Sequence, residues 1–273
     1  MLAEPHSAPA YRTQTFLNVP FACLDVGGTA RLIEARPFGT PFSYIITSNA
    51  SHLVRLNRLK DTRLAEAIAD AGLNTLDGSV PHWLAEKAFG LDIPLCPGSD
   101  LTIELFEHVI RPDDPITIIG GSQDMRDRLA ARYGLSTIHL HVPPMGFIDD
   151  PAAVEAAIRF VEEHPARYVF LVVGAPRSEY LAAMIARRGR AVGTGLCVGS
   201  ALNFLTGLVQ RASPAFRRLG LEWLYRLVQS PSTHIQRVFV DSLPIFLVAA
   251  QAKRDPAAFG MARDTAPGRP DRS

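Results

Sequence analysis

Each apolar run in the middle of this chain is followed by a short polar or glycine-bearing stretch, and those stretches hold the residue types that chemistry needs. Thr47 and Asn49 close one such run, and Asp77 and Gly78 close the next. Gly120 and Gly121, Gly146 and Phe147, Gly174, Pro176, Ser178 and Glu179, and finally Gly199 and Asn203 follow the later ones. An Asp at a strand end can take a proton from an attacking hydroxyl. Glycine lets the backbone approach a ligand closely, and N–H groups at a helix start favour phosphate. Ordinary βα turns use the same residues. Asp-Gly opens turns, Asn49 suits a helix N-cap, and Glu179 suits a first helical turn. His139 and His141 alternate along a strand, as metal ligands or as structural histidines would.

Several chemistries are excluded by motif. No GxGxxG follows a strand: Gly120-Gly121 precedes SQDM, and Gly193, Gly195 and Gly199 are spaced GxGxxxG. There is no GxxxxGK[ST], no GxSxG and no HExxH, which disfavours P-loop, hydrolase-elbow and zincin readings. There is no DxD to hold a divalent metal on a diphosphate. Any diphosphate chemistry would rest on arginine and backbone N–H groups.

The elements that must position these residues alternate. Strands are predicted at 42–47, 73–76, 116–119, 136–141, 168–173 and 191–198. Helices are predicted at 50–58, 62–71, 81–89, 100–109, 123–133, 151–163 (capped by Asp149 or Asp150) and 179–188. Short apolar runs alternating with amphipathic helices predict an α/β fold, a Rossmann-like parallel sheet with helices on both faces. In such sheets ligands bind beyond the carboxyl ends of the strands, where the residues above stand.

The 273 residues suffice for a sizeable core, and 47% hydrophobic with 20% charged residues is a globular balance. Lys+Arg 28 against Asp+Glu 27 leaves a net charge of +1, which argues against a nucleic-acid partner. Three scattered cysteines, Cys23, Cys96 and Cys197, form no disulfide framework or zinc site. No apolar h-region opens the chain, and the apolar run 238–250 is broken by Asp241 and Pro244, too short to span a bilayer. Composition therefore predicts a flexible leader over 1–20, an α/β core over 21–207, a helical appendage over 208–252 and a disordered tail over 253–273. Between 210 and 240 there are five arginines (211, 217, 218, 226 and 237) and one acid, Glu222. Beside an apolar run, that stripe favours anionic lipid or diphosphate.

One ordered set of fragments resembles a known family. TSNASHLVRL (47–56), LDG (76–78), GSDL (98–101), IIGG (118–121), MGF (145–147), GAPRSE (174–179), GLCVGSALNFLTG (195–207) and RASPAFRRLGLEWLYRLVQSP (211–231) are similar to the WecG/TagA/CpsF glycosyltransferases, glycosyltransferase family 26. The resemblance covers roughly residues 40–247. It implies a metal-independent, inverting enzyme without cofactor, moving a sugar from a UDP-sugar to a polyprenyl-diphosphate-linked saccharide in surface polysaccharide synthesis. The family's base falls on Asp77, and its T-x-N pattern beside the donor falls on Thr47 and Asn49. Its C-terminal appendage supplies arginines to the active site and touches the membrane, which implies a peripheral protein on the cytoplasmic face. The matching residues are Arg211, Arg218 and Arg226, with Arg237 a looser match. Glu222 lies one helical turn from Arg218 and from Arg226 and could hold either guanidinium. An exposed appendage also suggests self-association.

The family pattern is broken at three places. Ser178 stands where Gln is usual, Asn203 where Asp is usual, and Ser232-Thr233 where a basic pair is usual. These departures leave a second reading open: a catalytically impaired UDP-sugar-binding or scaffold protein of a polysaccharide synthesis complex.

Overall fold

The computed structural model describes residues 11–209 and 243–261. Its centre is a six-stranded, all-parallel sheet built from β3 (Ser43–Ser48), β4 (Leu73–Leu76), β5 (Ile116–Ile119), β6 (Ile138–His141), β7 (Tyr168–Leu171) and β8 (Thr194–Cys197). The spatial order is β4-β3-β8-β7-β5-β6. The α/β Rossmann-like expectation holds.

Side chains alternate across a pleated strand, and that alternation assigns each residue to one of two cores. Tyr44, Ile46, Val169 and Leu171 face one layer, formed with α2 (Ala50–Asn57), α3 (Thr62–Asp70), α7 (Pro151–Glu163) and α8 (Arg177–Arg188). Ile45, Tyr168, Phe170 and Leu196 face the other, formed with α1 (Val26–Glu34), α5 (Gly98–Glu104), α6 (Gln123–Tyr133) and α9 (Ala201–Leu205). Strands buried on both faces read as continuous apolar runs, which is why YVFL and ITII stand out in the sequence.

The helix boundaries follow local caps. Asp61 accepts from the Leu64 N–H, and Ser122 from the Met125 N–H. Of the two candidate caps for α7, Asp150 is the one that acts, accepting from the Ala152 N–H with Pro151 in the first turn. The helix predicted over 81–89 is α4 (Ser79–Trp83) continued by a π-helical turn, Leu84–Ala88. The helix predicted over 100–109 is α5 continued by a second π turn, Leu105–Val109. Helix α1 had no prediction. Its first turn holds Gly27 and Gly28, which weaken helix propensity, while Asp25 caps it by accepting from the Gly28 N–H.

Two expectations from composition need correction. Within the stretch expected as a flexible leader over 1–20, of which residues 1–10 lie outside the described residues, β1 (Thr13–Phe16) and β2 (Val19–Ala22) form a hairpin. Its turn residues Leu17 and Asn18 both have positive φ, as a two-residue hairpin loop demands. Phe16, Leu17, Val19 and Phe21 are fully buried. The Pro, Ser and Ala content of the stretch masked that apolar alternation. At the other end, α10 (Ile245–Arg254) and a 3-10 turn at Ala257–Phe259 cross the expected boundary between appendage and tail. Ile245 and Val248 are fully buried against the first core, worth roughly 1.5–3 kcal/mol each. The hairpin and this C-terminal segment hold each other, since the Asn18 N–H donates to the Phe259 carbonyl at 2.9 Å. No helix among the described residues is long and apolar enough to cross a membrane.

The alternating histidines of β6 sit at a sheet edge. The His139 ring lies 4.6 Å from that of His164, and the His141 ring lies 5.2 Å from that of Phe160. Burial, and for His139 also the neighbouring His164, holds both pKa values below the ordinary histidine value. The unfolded chain therefore binds more protons than the folded one just below that ordinary value, about 6.5. Stability is intact above this pH and declines as the pH falls through it. The thermal midpoint is expected to drop between pH 7.5 and 5.5, and His139→Gln with His141→Gln should flatten that slope. A slope unchanged in the double variant would assign the acid sensitivity to other groups.

Candidate active site

The carboxyl ends of β4, β3 and β8 are neighbours in the sheet, and beyond them lies a cavity of about 170 Å³. That is below the roughly 300–1,000 Å³ of pockets that enclose drug-sized ligands. Thr47, Asn49, Asp77, Gly78, Glu179 and Gly199 line it, which brings together six of the residues singled out in the sequence.

Each is delivered by its own element. Thr47, in the last turn of pleat of β3, donates from Oγ1 to the Cys197 carbonyl of β8 at 3.1 Å and so ties the two strands at the cavity floor. Asp77 follows β4, and its backbone N–H extends the β3–β4 pairing by donating to the Ser48 carbonyl at 2.9 Å. Its main chain is thereby fixed where the strand ends. Gly78 follows with φ of 99°, a conformation open to glycine and costly for other residues, and starts α4. Asn49 caps α2, with Oδ1 accepting from the Ser51 N–H at 3.0 Å.

Four further features complete the walls, of which Cys197 and Ser200 fall within the candidate stretch Gly195 to Asn203 that follows the last strand. His52 completes a capping box: its Nδ1 accepts from the Asn49 N–H at 3.2 Å. Its Nε2 lies 3.2 Å from Oε1 of Glu179, and both side chains are about 3% exposed. The spacing of Asn49 and His52 was the available signal. Ser99 and Asp100 enter at the start of α5. That helix can begin there because residue 98 is glycine: a Cβ would stand 2.7 Å from Thr47 Oγ1. Cys197 also lines the cavity, and burial raises its thiol pKa well above the ordinary value, which keeps it from acting as a thiolate nucleophile. Ser200 and Phe204 form the wall next to α9.

The remaining candidates do not line this cavity. Gly120 and Gly121 follow β5, separated from β3 by β7 and β8. A Cβ on Gly120 would lie 2.9–3.1 Å from atoms of Val172 and Val173, so this glycine serves close packing between strand ends. Gly146 opens a 3-10 turn in which Phe147 is buried in the core. Gly174 and Pro176 flank Ala175, the member of that loop that reaches the cavity. Ser178 is buried, and its hydroxyl donates to the Leu171 carbonyl at 2.9 Å. Asn203 sits on α9 beside Phe204 but outside the walls. Arg211, Arg218, Glu222, Arg226 and Arg237 lie outside the described residues, as does most of the expected appendage.

The electrostatics are one-sided. Three carboxylate residues, Asp77, Asp100 and Glu179, line the cavity, and among the described residues no lysine or arginine does. Among the described residues no three of His, Cys, Asp and Glu are grouped to hold a metal ion.

A parallel α/β sheet with a polar cavity at the carboxyl ends of its strands is the small-molecule-binding arrangement of Rossmann-like proteins. Residues 14–258 match the glycosyl transferase WecG/TagA/CpsF family, and the chain belongs to that family. It is a glycosyltransferase, and its membership implies cell-surface polysaccharide synthesis with a sugar donor and a lipid-linked acceptor.

Proposed function

We propose that this protein is an inverting, metal-independent glycosyltransferase that takes a sugar from a UDP-sugar and attaches it to a polyprenyl-diphosphate-linked saccharide. The observation that carries the reading is the cavity at the β4–β3–β8 edge, where Asp77 stands beside Thr47 and Asn49. In the proposed step an acceptor hydroxyl attacks the anomeric carbon. The bond from that carbon to the UDP oxygen breaks, the hydroxyl proton passes to the Asp77 carboxylate, and the configuration inverts. Thr47 and Asn49 are proposed to hold the donor.

The departing UDP gains negative charge in a cavity whose described walls carry carboxylates and no lysine or arginine. Cations must be aimed at it from elsewhere, and the basic stretch 211–237 is the proposed source: Arg211, Arg218 and Arg226, with Arg237 and with Glu222 as a guanidinium partner. The same stretch is proposed to meet anionic lipid, placing the protein on the cytoplasmic face of the membrane where its acceptor would lie.

The test is UDP release by the full chain in detergent micelles, from a panel of UDP-sugars, with and without a short polyprenyl-diphosphate-linked saccharide. Release from one donor that depends on the acceptor supports the transferase and names its sugar. The buried Ser178 hydroxyl, turned to the Leu171 carbonyl, favours a second reading, because it leaves no long amide at that point of the first turn of α8. Tight UDP-sugar binding without turnover on any acceptor would support that binding or scaffold role.

A further inference from the structure

Among the described residues, two polar atoms of residues lining this cavity are buried without a hydrogen-bond partner, Glu179 Oε2 and His52 Nε2, and of the two only Glu179 Oε2 belongs to a carboxylate. Glu179 stands in the first turn of α8, its side chain is about 3% exposed, and it lines the cavity. Its Oε1 is 3.2 Å from His52 Nε2, while Oε2 is buried without a hydrogen-bond partner among the described residues. Burying a carboxylate oxygen unmatched is costly, and folded proteins rarely leave one so. His52 is itself anchored. The Asn49 N–H donates to Nδ1, and Nε2 lies 3.2 Å from Glu179 Oε1. The ring links the cap of α2 to the start of α8, and so sets where the carboxylate sits.

The chemistry of Oε2 limits what can satisfy it. A phosphate oxygen is repelled, and a carbonyl has no proton to give. A hydroxyl of a saccharide fits, because it donates one proton and carries no charge. Resting on the transferase reading, we propose that Glu179 Oε2 accepts a hydrogen bond from a sugar hydroxyl bound in this cavity. In this role Glu179 determines sugar specificity and His52 is its positioning residue. Asp77 and Glu179 then divide the work: one carboxylate takes the proton of the reacting hydroxyl, the other recognises a hydroxyl that does not react.

The test compares wild type, Glu179→Gln, Glu179→Ala and His52→Gln in the full chain. Substrates are the accepted UDP-sugar, analogues lacking each donor-sugar hydroxyl in turn, and acceptors lacking each hydroxyl in turn. For wild type, one deoxy compound should lose about 10–100-fold in kcat/KM, the span of a hydrogen bond to a charged group. The series in which it falls, donor or acceptor, tells which sugar Glu179 reads. In Glu179→Ala that gap should close, because the parent falls to the level of the deoxy compound. Glu179→Gln, which keeps a neutral acceptor of the same shape, should retain part of it, and His52→Gln should narrow it. If turnover is absent but UDP-sugars bind, calorimetric affinities give the same comparison. Variants that slow every compound equally, in a protein whose wild type discriminates, overturn this inference and leave the proposed function standing. A wild type that neither binds nor transfers any UDP-sugar overturns both.

Discussion

Replacing Asp77 by Asn is expected to lower acceptor-dependent transfer by about 10²–10⁴-fold, the usual contribution of a positioned general base. UDP-sugar affinity should change little, because the proton moves only in the reaction step and the amide keeps the side chain's shape. The bond from the Asp77 backbone N–H to the Ser48 carbonyl is kept by the substitution. The loss should therefore appear in kcat with KM nearly constant. Steady-state kinetics with a thermal melt as control checks this. A variant transferring near the wild-type rate would remove Asp77 from the role of base and turn attention to Asp100, which lines the same cavity.

Arg218→Ala and Arg226→Ala are expected to cost about 10²–10³-fold each in kcat, the scale found when one donor to a developing negative charge is removed. The argument is electrostatic. Asp77, Asp100 and Glu179 give the described walls their charge, and a leaving diphosphate beside them needs cations from another part of the chain. Five arginines with one acid between 210 and 240 are the concentrated source. The two effects should be far from additive if both guanidiniums act on one diphosphate. Lysine at either position should restore part of the rate, keeping the charge but losing the paired donors. Unlike the changes at Glu179, these losses should be uniform across deoxy sugars, since every donor releases the same UDP. Single-turnover UDP release separates the rate of the step from binding, and a rate unchanged in both variants would end the assignment.

How much was visible beforehand depended on how local each feature is. The strands ITII and YVFL, and α7 with its Asp-Pro start, stand in the structure where periodicity and capping chemistry predicted them. The N-terminal hairpin was missed because four buried apolar residues are diluted among small and polar ones, so composition argued for a leader. Helix α1 was missed because its glycines argue against helix while its buried face, Thr29, Ala30 and Ile33, shows only against a neighbouring core. His52 was missed because a lone histidine on an amphipathic helix signals nothing until Glu179, more than a hundred residues on, is known to face it.

By itself the sequence determined the class of the molecule and the roster of its chemistry. Alternating apolar runs and amphipathic helices dictate a parallel α/β sheet, and the residues that follow each run are the ones a ligand can meet. Only the tertiary structure decided which of those residues meet each other. Periodicity is local and carries no strand order, so all six strand ends were equivalent candidates until β4, β3 and β8 proved adjacent. That order puts Thr47, Asp77 and Gly199 around one cavity and leaves Gly120, beyond β8 and β7, to the close packing of strand ends.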